Sequence, residues 1–270
     1  MLRFLRNVLI LLAGAFAVLY LAVFVLLLVY QRQLLFAGNT AVIAPPSANS
    51  IYRAATIRER DGAQLTIWKA PPARPGLPTF VIFYGNASNL TDFAETGEHL
   101  HAHGYGVVLA AYRGYSGNPG SPSEDGLMDD ARAVLASAPR PVVLWGHSLG
   151  SGVAARMASE GHGEALILES PYTSIPDVGA RRFPIYPVRW FMRDRFDTLS
   201  LLPKIKVPVL IFHGTRDWIV PYDMGVTLAH DFGKQAMFIP IVGAAHEPHR
   251  SDLVPFVTRW LHRNGLAPRS

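Results

Sequence analysis

In Pro141-Val-Val-Leu-Trp-Gly-His-Ser-Leu-Gly-Ser-Gly152 a serine lies between two glycines, at the point where an apolar strand-like run hands over to a helix-compatible one. A turn tight enough to lift the Ser148 hydroxyl above a sheet edge forces the serine backbone into a strained region, and Cβ atoms two residues to either side would collide. Gly146 and Gly150 remove those atoms, which is the pattern of a nucleophile elbow. The chemistry it suggests is covalent, a serine oxygen attacking an acyl carbon. Because a serine hydroxyl is a poor nucleophile at neutral pH, it needs a histidine to take its proton and a carboxylate to hold that imidazole in one tautomer. Both follow in the chain: Asp217 comes in the loop after the apolar run Val209 to Phe212, and His246 comes just after the last such run. Strand-end loops on one edge of a parallel sheet converge, so the order serine, acid, histidine can assemble a single site.

Glu169 ends the preceding run and is an alternative to Asp217 as the acid. The tetrahedral intermediate of acyl transfer needs two backbone N–H donors, one from the residue after the nucleophile and one from the loop after the third strand. These are expected from Leu149 and Asn86, with Gly85 letting the backbone turn sharply between strand and donor. No metal is expected. His246-Glu-Pro-His249 lacks the four-residue histidine spacing of a zincin helix and contains a proline, while Glu95, His99 and His103 share a helical face with no further ligand in view.

Short apolar runs must carry these residues. Thr79 to Tyr84, Gly106 to Ala111, Val142 to Trp145, Ala165 to Leu168, Val209 to Phe212 and Met237 to Val242 are nearly continuous Val, Ile, Leu and Phe. That composition suits strands buried on both faces by helices, so a mainly parallel sheet is expected. Ahead of them, Ala55 to Arg60 and Ala63 to Ala70 flank Asp61-Gly62, which predicts a two-residue type I′ hairpin. Glu124 to Ala138 suits a helix, as does the Leu253, Phe256, Val257, Trp260, Leu261 repeat behind Ser251, its expected N-cap. Pro171 to Pro208, rich in proline and aromatics, breaks the rhythm and predicts a small cap over the strand ends.

The 270-residue chain is half apolar, enough for one sizeable core, and part of that apolarity is concentrated at one end. Val8 to Tyr30 holds no charge and would span about 34 Å as a helix, against a hydrocarbon layer of about 30 Å. It reads as an uncleaved transmembrane anchor. The cut-site mimic Ala15-Phe-Ala17 is followed by more apolar sequence, unlike a signal peptide. Arg3, Arg6 and the amino terminus precede the span and Arg32 follows it, a bias that leaves the tail in the cytoplasm and the large domain outside. A formal charge of +5 with scattered arginines gives no sign of nucleic-acid binding; one group, Arg181, Arg182, Arg189, Arg193 and Arg195, could meet anionic headgroups or substrate. Zero cysteines exclude disulfides, thiol catalysis and cysteine metal sites.

Taken with these residues, Tyr84-Gly-Asn-Ala-Ser-Asn-Leu, Ala111-Tyr-Arg-Gly-Tyr-Ser-Gly, Gly146-His-Ser-Leu-Gly, His213-Gly-Thr-Arg-Asp and Gly243-Ala-Ala-His resemble the α/β-hydrolase superfamily, in particular its membrane-anchored "α/β-hydrolase domain-containing" branch. The resemblance runs from about Ile51 to Leu261. It implies an eight-stranded, mostly parallel sheet flanked by helices, and hydrolysis of an ester, thioester or amide through an acyl-serine with no cofactor. It also implies that Ser148, Asp217 and His246 form the triad. Two positions depart from the branch's pattern: Tyr84 stands where histidine is usual, and Glu247 puts a carboxylate beside His246. The organisation expected is an anchor at 1–35, a linker at 36–50 and a hydrolase domain at 51–270 with a cap insertion at about 171–208. The expected substrate is a lipid-like acyl ester. A serine aminopeptidase-like amide hydrolase and a non-catalytic, membrane-tethered binding module are the alternatives, and oligomeric state is left open.

Overall fold

A computed structural model describes residues 1–38, 40–59, 62–248 and 250–267. Eight strands form one sheet: β1 (Arg53–Arg58), β2 (Gln64–Ala70), β3 (Thr79–Phe83), β4 (Gly106–Ala110), β5 (Val142–His147), β6 (Ala165–Glu169), β7 (Val209–Gly214) and β8 (Ala236–Ile241). Eight helices accompany them: α1 (Leu2–Leu35), α2 (Ala94–Ala102), α3 (Glu124–Ala136), α4 (Leu149–Ser159), α5 (Ile175–Arg182), α6 (Val188–Phe191), α7 (Tyr222–Phe232) and α8 (Val254–Arg263). The strand order is β1-β2-β4-β3-β5-β6-β7-β8. The sheet is mixed, because β2 pairs antiparallel with both β1 and β4 while every other pairing is parallel.

The six apolar runs read from the sequence are β3 to β8. Every residue of β3, β4, β5, β6 and β7 is buried, as strands covered on both faces must be. Edge strand β8 is only partly covered. At the start of the sheet, the predicted hairpin is corrected. The Glu59 N–H donates to Ala63 O and the Gly62 N–H to Glu59 O, so three residues rather than two separate the paired positions, with Gly62 at φ 87°. Asp61 of the expected dipeptide lies outside the described residues.

Helix starts follow local chemistry where a side-chain oxygen is available. Ser123 caps α3 by accepting from the Gly126 N–H at 3.1 Å, and Ser174 caps α5 by accepting from the Asp177 N–H at 3.1 Å. Ser251 does not cap α8. It lies inside a 3₁₀ turn, Arg250–Leu253, which leads directly into the helix, so the N-cap position falls at Leu253 instead. Between β6 and β7 the chain forms α5, α6 and a 3₁₀ turn at Leu199–Lys204.

Helix α1 is long and apolar enough to cross a membrane. Its C-terminal half does not stand free. The Tyr20 hydroxyl donates to Ile185 O at 2.8 Å, Gln31 Oε1 accepts from the Arg193 N–H at 2.8 Å, and Arg32 makes a two-point ion pair with Asp194 at 2.7 and 3.2 Å. Buried Asp194 also accepts from the Glu124 N–H at the start of α3, so one carboxylate ties α1 to the domain body. After α1, Phe36 packs against Phe196.

Candidate active site

Ser148 sits between the end of β5 and the start of α4, with φ 50° and ψ −120°. That conformation is costly for a residue with a side chain, and it persists because the surroundings leave no alternative. A Cβ on Gly146 would lie 2.6 Å from Ser151 Cα, and one on Gly150 would lie 2.5 Å from the Phe83 carbonyl carbon. Both glycines therefore permit the first turn of α4 to press onto the ends of β3 and β5. The Ser148 N–H donates to Glu169 O at 2.9 Å, which fixes the turn to the neighbouring strand β6.

Two further strand-end loops bring their side chains to this serine. His246 Nε2 is 2.9 Å from Ser148 Oγ, and His246 Nδ1 is 2.7 Å from Asp217 Oδ2. The other carboxylate oxygen of Asp217 accepts from the N–H groups of Ile219 and Val220, both at 2.9 Å. His213 Nε2 lies 3.3 Å from Asp217 Oδ2 and 3.0 Å from Val220 O. Burial alone would raise the Asp217 pKa; the bonds from His213, His246 and the Val220 amide outweigh it and hold the carboxyl well below its usual range. The loop of His246 is tied down by Ser170, whose hydroxyl donates to His246 O at 3.1 Å.

Leu149 is the first residue of α4, so its N–H belongs to the helix-start donors that have no partner within the helix. Asn86 follows Gly85 just beyond β3, and β3 lies beside β5 in the sheet. A Cβ on Gly85 would be 3.2 Å from Ser148 Cβ, so this loop abuts the serine closely. The side chain of Asn86 is held by the Tyr115 hydroxyl, which donates to Oδ1 at 2.9 Å. The Tyr84 departure is absorbed beneath the loop: its hydroxyl pairs with Ser116 Oγ at 3.2 Å, and its carbonyl accepts from Tyr112 at 3.2 Å.

Glu169 is not within the hydrogen-bonded line of Ser148, His246 and Asp217. It is fully buried, it accepts from Trp145 Nε1 at 3.0 Å, and its Oε1 lies 2.8 Å from Arg250 Nε and 3.1 Å from His147 Nδ1. Arg250 also stacks over the Phe93 ring at 4.2 Å. Burial lowers the pKa of His147, whose ring lies beside the His246 ring, 5.1 Å between centroids. This His147, Glu169, Arg250 cluster is the feature that sequence reasoning missed. Its signal lay in the register, because His147 pairs with Glu169 across β5 and β6, and register is visible only once strand order is known. Glu247 is exposed, and its carboxylate lies 3.9 Å from His147 Nε2. His249 lies outside the described residues. Among those residues no group of three or more His, Asp or Glu side chains gathers to hold a metal.

A nearly all-apolar cavity of about 190 Å³ lies between α1 and the cap, with Leu27, Leu28 and Leu35 on one side and Val178, Val188 and Met192 on the other. None of Ser148, Asp217 or His246 lines it.

The Glu169 cluster predicts an acid dependence of stability. Burial alone would raise the Glu169 pKa, but Arg250, His147 and the Trp145 N–H together hold it down to about 2. A carboxyl whose folded-state pKa is lowered contributes stability that is full above its unfolded value near ~4.5 and is lost as pH falls toward the folded one. The melting temperature should therefore decline as pH falls through that window. Glu169→Gln, which cannot titrate, should melt lower at pH 7 and show a shallower acid decline; equal slopes for the two proteins would contradict the assignment.

Residues 77–201 match the family model described as serine aminopeptidase, S33. Over 238 residues the chain is 35% identical to the uncharacterised protein Rv2307c of Mycobacterium tuberculosis, covering 84% of this chain and 79% of that protein. It is 30% identical over 234 residues to the lysophosphatidylserine lipase ABHD12 of Danio rerio, covering 75% of this chain and 58% of the lipase. Among solved structures, an esterase of Pyrococcus furiosus superposes with a TM-score of 0.66 at 19% identity, covering 84% of this chain and 96% of the esterase. Fold, ordered strand-end loops and these likenesses lead to one conclusion: the chain belongs to the α/β-hydrolase superfamily.

Proposed function

We propose that this chain is a serine hydrolase that cleaves the carboxylic ester or thioester of a lipid-like acyl substrate through an acyl-serine on Ser148. The observation that carries this reading is the unbroken hydrogen-bonded line from Ser148 Oγ through His246 to Asp217, at 2.9 and 2.7 Å. As Oγ attacks the acyl carbon, its proton passes to His246 Nε2, while Nδ1–H stays donated to Asp217. Asp217 remains a carboxylate because its second oxygen is held by two backbone amides and its pKa is depressed. The oxyanion takes the Leu149 and Asn86 amides. Collapse breaks the bond to the alcohol or thiol, which leaves with the proton from His246. Water then attacks the acyl-serine, giving its proton to His246, and the second collapse returns that proton to Ser148. The side chains suffice for this chemistry, so no cofactor is invoked.

The lipid-like substrate is supported by three features. A relative bears the name lysophosphatidylserine lipase, and lysophosphatidylserine is a single-chain ester with an anionic head. The cap carries Arg182 and Arg189 next to exposed aromatics, and α1 brings an apolar helix against it. In this reading residues 1–35 anchor the protein in a bilayer, 36–50 link, and 51–270 form the catalytic domain with its cap at about 171–208. The description of the matching family model favours a second reading, hydrolysis of aminoacyl amides at the same serine.

A chain-length series of p-nitrophenyl esters separates the two readings. Activity should rise from about two to about eight carbons, since each buried CH₂ makes ~0.8 kcal/mol available. Asp217→Asn should lower kcat/KM on the order of 10⁴-fold across the series. Activity confined to acetyl esters or to aminoacyl amides would overturn the lipid-like substrate, and full activity of Asp217→Asn would overturn the relay.

The flanking charges support a single-pass anchor with the domain outside the cytoplasm, because Arg3, Arg6 and the amino terminus precede the apolar run and Arg32 follows it. Protease added to intact spheroplasts should digest the domain and leave a small embedded fragment. Complete protection would reverse the topology.

A further inference from the structure

If α1 crosses a bilayer, the apolar length available on the far side of the cap is too short. Charge-free sequence on α1 begins at Val8, and the first cap contact is Tyr20, whose ring stacks on Tyr186 at 4.7 Å and whose hydroxyl bonds Ile185 O. Val8 to Leu19 is 12 residues, about 18 Å of helix, against a hydrocarbon layer of about 30 Å. Drawing in the whole of Leu2 to Leu19 reaches about 27 Å, but only by burying Arg3 and Arg6 in lipid. The missing depth falls on the stretch from Tyr20 to Tyr30, which is the stretch that the cap covers: Phe24 meets Tyr186 and Phe191 there, with ring centroids 6.1 and 5.3 Å apart.

The cap surface at that depth has the composition that immersion requires. Ile185, Trp190 and Phe191 are 65%, 83% and 47% exposed, a concentration of large apolar side chains that a water-facing surface rarely tolerates. Close by in the chain, Arg182 and Arg193 are exposed, and exposed Arg189 pairs with Asp177 at 3.1 Å; cations flanking exposed apolar residues suit a surface of anionic lipid phosphates. On the other side of the cap, Arg181 pairs with Asp223 at the start of α7, which fastens the cap to the catalytic body.

We propose that the cap segment Phe183–Phe191 is a second membrane element. It dips from the domain's side into the same leaflet that α1 enters, with Ile185, Trp190 and Phe191 among the acyl chains and the arginines at the headgroups. The partner is the bilayer leaflet itself. The immersion rests on the reading of α1 as a membrane span. Its consequence is orientation: the cap side of the sheet, with the strand ends that carry Ser148 and His246, is held down at the lipid surface.

The chain has no cysteine, so single cysteines can be introduced and labelled cleanly with a fluorophore sensitive to its surroundings. Ile185→Cys and Trp190→Cys report on the cap tip, Leu12→Cys on the anchor, and Lys234→Cys on an exposed site just before β8, away from the strand ends of the site. All four sites are exposed in the structure, and each variant is taken forward once its melting matches wild type. The full-length proteins are placed in phosphatidylcholine nanodiscs, with or without lipids that carry a nitroxide quencher high on the acyl chain. Fluorescence at 185 and 190 should be about halved by the nitroxide lipid, as for a residue at the boundary of headgroups and acyl chains, with Lys234→Cys unchanged. Quenching at Leu12 without quenching at 185 and 190 would overturn the immersed cap and leave the anchor standing. No quenching at Leu12 would overturn both.

Discussion

The first turn of α4 lies so close to the ends of β3 and β5 that only glycine fits at two of its contact points. The Phe83 carbonyl occupies the place of a Gly150 side chain, and Ser151 Cα crowds that of Gly146. This close backbone approach sets the direction of α4, holds Ser148 at a positive φ, and brings the Gly85-Asn86 loop alongside it. The remainder of the site depends on it, because every partner of Ser148 is aimed at the one position where this turn holds its oxygen. The strain stored there is offset by the surrounding sheet, whose central strands are buried along their whole length.

Electrostatics then divides the buried charges between two tasks. Asp217 spends its oxygens on two amides and on the imidazoles of His246 and His213, an arrangement that keeps it ionised and His246 oriented. Glu169, one strand away, is engaged by Arg250, His147 and Trp145, and so is unavailable to His246. The two carboxylates have different environments: one meets the His246 imidazole that in turn meets Ser148, the other meets the Arg250 turn that follows the His246 loop. Ser170, directly after β6, connects that strand end to the His246 loop through the His246 carbonyl.

Much of this was legible in the sequence, for physical reasons. Strands buried on both faces must be continuously apolar, so β3 to β8 stand out. Loops that follow neighbouring parallel strands converge at one sheet edge, so Ser148, Asp217 and His246 could be grouped from the sequence. What was not legible depends on contacts between residues distant in sequence. The pairing of Glu59 with Ala63 follows the register of β1 with β2, which spans both strands. Ser251 lost its expected capping role to a 3₁₀ turn. The Glu169 cluster needs residues 147, 169 and 250 together, and the fastening of α1 through Tyr20, Gln31 and Arg32 links residues some 160 positions apart. No local pattern announces such pairings.

The reading of Ser148 as an activated nucleophile is tested most directly by reaction with a fluorophosphonate followed by peptide mapping. Such a reagent needs a serine oxygen whose proton is being removed, which an ordinary surface hydroxyl lacks. The account predicts a single adduct on the peptide bearing Ser148, absent in Ser148→Ala and formed far more slowly in His246→Ala. An adduct at another residue, no adduct on folded protein, or undiminished labelling of His246→Ala would contradict it.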